Sequence, residues 1–143
     1  MRATLALALA FAGGVAGAQS LPLVQLQAGM HLIRAEVAAD FGSRSQGLMY
    51  RTAMPSNAGM LFIFDEVSSP CMWMKNTLIP LSVAFIDEHG AILNVEDMQP
   101  QTEDSHCASG PARYALEMNR GWFAARGVKP GSRIVGIPGT TTK

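Results

Sequence analysis

The chain has 143 residues, with 11 basic and 11 acidic side chains. So even a balance leaves no electrostatic footprint for nucleic acid or anionic lipid. The length suits one domain with a real core rather than two, and no block of like charge marks a docking tail.

Residues 1–18 read as a secretory signal. Arg2 supplies a positive start, Thr4 to Ala12 form an apolar run too short to cross a bilayer, and Ala16-Gly17-Ala18 offers small residues for cleavage after Ala18. An uncleaved anchor is the alternative. The expected location is therefore periplasmic or secreted, with no transmembrane segment in the mature chain. Residues 19–30, with Pro22 and Gly29, read as a leader. Residues 31–138 read as a single β domain and residues 139–143 as a flexible tail.

His31 to Ala38 alternates like a strand. Asp40 to Tyr50 changes period, and Ser43 is placed to cap a short helix that turns Leu48 and Met49 inward. Met54 to Gly59 is turn chemistry. Gly59-Met-Leu-Phe-Ile-Phe64 is apolar throughout, as a central buried strand is. Cys71 to Met74 and Leu81 to Asp87 follow as strands. Glu88-His89-Gly90 reads as a hairpin turn with Gly90 in a left-handed conformation, returning through Ala91 to Met98. Pro100 to Pro111 is a polar loop of the kind that often carries function. Ala112 to Met118 alternates as a strand, Trp122 to Gly127 forms a short helix, and Arg133 to Ile137 closes the fold. The expected architecture is mainly β: a small antiparallel sandwich or barrel of six to eight strands with one or two short helices. A parallel α/β sheet is disfavoured by the short connections.

Cys71 and Cys107 are the two cysteines. In an exported protein an even pair reads first as a disulfide, which would pin the 100–111 loop beside residue 71. Free thiols and a soft-metal site are the alternatives, although the spacing fits neither a CxxC motif nor a zinc knuckle.

Five stretches together carry a family resemblance. They are Gly47-Leu-Met-Tyr-Arg51, Gly59-Met-Leu-Phe-Ile-Phe64, Met72-Trp-Met-Lys-Asn-Thr77-Leu-Ile-Pro80, Phe85-Ile-Asp87 and Pro111-Ala-Arg-Tyr-Ala-Leu-Glu117. Their order and spacing resemble domain of unknown function family 192 (DUF192) from about His31 to Ile137. The resemblance implies a compact, mostly β domain, often exported, and no catalytic residue.

No GxSxG, HExxH, phosphate-binding loop or dinucleotide fingerprint is present. His31, His89 and His106 are scattered, so no triad is legible. A more informative set is Arg51, Lys75, Asn76, Thr77, Asp87 and Glu117, polar residues that follow or interrupt apolar elements. One reading is a network of ion pairs that holds strand ends. The other is a polar cleft centred on Arg51, Lys75 and Asn76, walled by Trp73 or Tyr114 and roofed by the 100–111 loop. The leading expectation is a non-catalytic module of the cell envelope that binds a small molecule or an envelope component, without cofactor and as a monomer. A small envelope enzyme acting on a saccharide or peptide, with Glu117 or Asp87 as acid or base, is the second. Cu(I) binding through Met72, Met74 and His106 is the third, set against the commoner use of methionine as core filler.

Overall fold

A computed structural model describes residues 20–140; the signal read at residues 1–18 and the end of the tail lie outside the described residues. Nine strands and two short helices follow one another: β1 (Leu23–Ala28), β2 (His31–Ala38), α1 (Phe41–Gln46), β3 (Ala58–Ser68), β4 (Cys71–Met72), β5 (Leu81–Ile86), β6 (Ile92–Met98), β7 (His106–Cys107), β8 (Ala112–Asn119), α2 (Trp122–Ala125) and β9 (Ile134–Val135). Seven of these strands form one curled sheet in the order β6-β5-β8-β3-β2-β1-β9, and β4 pairs with β7 as a separate ribbon. The mainly β expectation holds, as a curled half-barrel.

The two edges of the curl meet at one end. Ala91 bridges Arg133, the Ile92 N–H donates to the Ser132 carbonyl at 2.9 Å, and the Ile134 N–H donates to the Gly90 carbonyl at 2.8 Å. Gly90 sits at φ 91°, in the positive region expected of the hairpin turn. Asp87 holds that turn: its Oδ1 accepts from the N–H groups of His89 and Ala91, both at 2.9 Å.

Three expectations are corrected. Residues 23–28 are not a leader but strand β1, paired with β2 along its whole length. Its Leu26 and Ala28 are buried while Gln25 and Gln27 face outward, a half-buried alternation. Second, the sheet is not wholly antiparallel, because β2 and β3 run parallel, from Arg34↔Ala58 to Ala38↔Phe62. Their crossover carries only the six-residue α1, much less than a full βαβ helix. Third, the cap of α1 is Asp40. Its Oδ1 accepts from the Ser43 N–H at 2.8 Å, and the Ser43 hydroxyl faces back to the Asp40 N–H in a capping box.

Both faces of the sheet are buried. Leu61, Ala84, Ile86, Leu116 and Met118 point into the curl, which Trp122 and Phe123 of α2 help to fill. Met60, Phe62, Leu81, Val83, Phe85 and Ala115 point the other way, into a second core completed by Leu48, Met74 and Ile79. Double coverage explains why the six residues of β5 are all buried and why β3 begins as an unbroken apolar run. The cover of the second core consists of α1 with the turn after it and the segment from residue 70 to residue 80.

Candidate functional site

The covering segments are tied to each other. The Tyr50 N–H donates to the Asn76 carbonyl at 2.9 Å, and Asn76 adopts φ 53° to present it. The Met74 N–H reaches the Thr102 carbonyl, and the Gln101 N–H reaches the Thr77 carbonyl, both at 3.0 Å. Cys71 and Cys107 are disulfide-bonded across the β4–β7 ribbon, closing a sequence separation of 36. The pinning of the 100–111 loop expected from the two cysteines is therefore present.

Between this cover and the sheet lies a cavity of about 350 Å³. Its walls come from α1 and the residues after it (Phe41, Arg44, Leu48, Met49), from β3 (Phe62, Phe64), and from Met72 and Trp73; Thr77 and Glu117 line it as well. Phe41 and Trp73 are large aromatic side chains left 81 % and 46 % exposed, so they stand at its rim. The roof is this covering layer rather than the 100–111 loop, which supplies no lining residue.

Among the described residues, Glu117 is the only acid lining the cavity. It lies on β8 between Met60 of β3 and Val83 of β5, in the middle of the sheet, and is 4 % exposed. Among the described residues its carboxyl has no hydrogen-bond or ion-pair partner. Burial alone, disfavouring the charged form, pushes its pKa up to about 8. It therefore holds its proton at neutral pH while opening onto a mostly apolar cavity. The one cation in the lining among the described residues is already engaged. Arg44 donates to the carbonyls of Ala39 at 2.6 Å and Ile63 at 3.0 Å, and pairs with Asp65 at 3.1 Å.

The structure divides the predicted polar set. Trp73, Thr77 and Glu117 come together at the cavity, with Met72 beside them. Thr77 donates its hydroxyl to the Lys75 carbonyl at 3.1 Å. Lys75 is exposed, its Nζ 5.2 Å from the centre of the Trp73 ring. Arg51 lies apart, in a two-armed ion pair with Glu36 that raises the guanidinium pKa still further. Asn76 acts through its backbone and Asp87 through its turn, so neither reaches the cavity. Tyr114 is buried inside the curl, on the opposite face of the sheet, and desolvation raises its pKa. Met74 is wholly buried in the outer core, and His106 stands across from Met72 in the ribbon. Glu117 thus lines this cavity, whereas Lys75 and Arg51 do not.

Sequence reasoning missed Phe41, Phe62 and Phe64 as lining residues, and Glu36 as the partner of Arg51. Phe62 and Phe64 carried a legible signal: they alternate with Leu61 and Ile63 and so share a face of β3. Glu36 carried none, because its meeting with Arg51 depends on the parallel β2–β3 pairing.

The chain matches the family model of DUF192, described as uncharacterized ACR, over residues 24–136. It is similar to a protein of Sinorhizobium meliloti 1021 described as a candidate transcription regulator, at 39 % identity and a TM-score of 0.78, over 84 % of this chain and 98 % of that one. It is also similar to a protein of unknown function from Novosphingobium aromaticivorans DSM 12444, at 32 % identity and a TM-score of 0.77, over 85 % of this chain and 88 % of the other. The comparison with curated proteins gives no match.

Proposed function

The chain belongs to the DUF192 family, and from that premise we propose that it is an exported, non-catalytic module that binds a small ligand in the Glu117 pocket. One observation carries the reading. A carboxyl buried to 4 % exposure, with no protein partner, opens onto a cavity lined by aromatic and thioether side chains. A buried polar group without a partner costs stability, and a ligand that supplies the partner recovers it. Apolar walls with a few polar groups among them are the usual make-up of a small-molecule site. Export rests on the pattern of residues 1–18 and fits a disulfide, which persists in oxidising compartments.

The measurement is a thermal-shift screen of the mature protein against small molecules with cationic, neutral and anionic heads. Ligands that raise the melting temperature should lose that effect in Ser45→Trp, which places a bulky ring at an exposed position of α1 lining the pocket. A shift that survives this block would move the site elsewhere. Export is checked by mass spectrometry, which should find Gln19 at the mature terminus.

A second reading has one observation in its favour. A carboxyl that keeps its proton near neutrality is suited to act as a general acid. Hydrolysis of a glycosidic bond by the common route needs two carboxyls flanking it, and Glu117 is alone in the lining. Under this reading Glu117→Gln abolishes turnover of a saccharide or peptide while binding persists.

A further inference from the structure

Taking the Glu117 pocket as the binding site, we propose that its ligand is an organic ammonium: a cationic amine head that pairs with the Glu117 carboxylate, carried on an apolar body. The body would lie against Met72, Phe62 and Phe64, and extend toward the rim at Phe41 and Trp73.

Three features select this class. First, buried charges in proteins are paired, and the one ionisable group left unpaired at this cavity is an acid. A cation completes it, whereas an anion would be repelled once the carboxyl ionises. Second, the lining suits a soft cation. Aromatic faces attract ammonium groups, and the Trp73 ring already holds the Lys75 ammonium at 5.2 Å. Thioethers of Met49 and Met72 add polarizable contact surface. Third, a polyol needs several donors and acceptors at once. Arg44 is spent on Asp65 and two carbonyls, and the Thr77 hydroxyl donates to the Lys75 carbonyl. Ser45 and Gln46 stand at the exposed edge of the lining, so Glu117 is the buried side chain left to carry the recognition.

Binding then exchanges one cation for another. The neutral Glu117 acid and the ammonium give a carboxylate–ammonium pair, and one proton leaves to solvent. Affinity should therefore rise with pH as Glu117 gives up its proton more readily. The charged and titratable groups on the surrounding elements are few. Arg44 of α1 is bonded to Asp65, and Glu36 of β2 to Arg51. Lys75 stands over Trp73, Glu96 of β6 accepts from the Asn94 amide at 3.3 Å, and His106 lies on β7. With these charged groups nearby, the glutamate must be tested by its own substitution.

The experiment is calorimetry on the mature, disulfide-bonded protein with three probes that share a phenyl body: phenethylamine, 2-phenylethanol and 3-phenylpropionate. The expected result is that phenethylamine binds at least about tenfold more tightly at pH 8 than at pH 6, as displacement of one proton from a group that titrates at about 8 requires. At pH 6 about one proton should be released per site, measured in buffers of different ionisation enthalpy. Glu117→Gln, checked for folding by circular dichroism, should remove both the pH rise and the proton release, and Ser45→Trp should remove binding altogether. If 2-phenylethanol or 3-phenylpropionate binds at least as tightly as the amine and Ser45→Trp removes that binding, the ammonium assignment is overturned while the pocket stands. If the pH rise persists in Glu117→Gln, the glutamate is not the partner and the assignment is likewise overturned. If no probe binds, or Ser45→Trp binds them all as before, the pocket reading falls together with the assignment.

Discussion

Glu117 occupies a place that sheet packing reserves for apolar side chains, in a row with Met60 on one side and Val83 on the other. The cost should be visible in the pH dependence of stability. In the unfolded chain the carboxyl titrates near 4.5, and in the folded chain near about 8. Between those values the folded state binds more protons than the unfolded state. This contribution is therefore fully present below pH 4.5, is lost as pH rises, and levels off above about 8. The span amounts to roughly 3–5 kcal/mol. Chemical denaturation of Glu117→Gln should show a much flatter slope over this window; an unchanged slope would mean that the carboxyl is hydrated in the folded state. Asp40 acts in the opposite direction and outside the window, because the Ser43 N–H lowers its pKa from 3.8. At this scale the sequence was partly legible. A charge within the apolar alternation of Ala112 to Met118 singled out Glu117. Lys75 and Asn76 stood out just as strongly, yet one faces solvent and the other works through its carbonyl, because the strand expected through Met74 stops at Met72.

That early stop defines the segment from Pro70 to Pro80 as an element. Only His106 and Cys107 pair with it, so it makes a two-residue ribbon and then runs as an irregular strap across the outer core. The strap is held by the disulfide, by the Ala108 N–H on the Pro70 carbonyl at 2.9 Å, and by its bonds to residues 50, 101 and 102. Loop closure by the disulfide contributes roughly 3.5–4 kcal/mol in the chain-entropy model. The double substitution Cys71→Ser plus Cys107→Ser should therefore lower unfolding free energy by a comparable amount in denaturant titrations. Because the strap is a wall of the pocket, ligand affinity should fall with it. Retention of full stability would show that the hydrogen bonds alone fix the strap. The cysteines made this tie readable in advance, whereas the hydrogen bonds with residues 50, 101 and 102 join backbone atoms that no side-chain pattern announces.

At the scale of the whole molecule, short apolar runs with regular turn signals were enough to read a mainly β fold and the β5–β6 hairpin. The missing parts have a common cause. β1 reads as a leader because two glutamines and two glycine or proline breaks dilute its pattern, and its burial becomes evident only once β2 lies beside it. The parallel β2–β3 pair depends on a crossover that the six residues of α1 hardly advertise. Closure of the curl is testable through its glycines. Gly90 has φ 91°, and a Cβ there would lie 2.9 Å from the carbonyl oxygen of Ile134, the residue whose N–H joins the edges. Gly29 has φ 57° with open space around it. Gly29→Ala should cost only the conformational penalty, about 1 kcal/mol, and Gly90→Ala roughly 2–3 kcal/mol. Equal losses of melting temperature would show that the edge contact adds nothing.

The sheet divides its labour between two faces. Its inner face, filled by α2, makes the curl, and its outer face carries the pocket under a cover built from α1 and the strap. Residues that shape the cavity are thus largely separate from those that close the barrel. Substitutions in the cover can alter what the cavity admits and leave the scaffold standing, so this architecture is a chassis on which recognition can be re-engineered, one covering segment at a time.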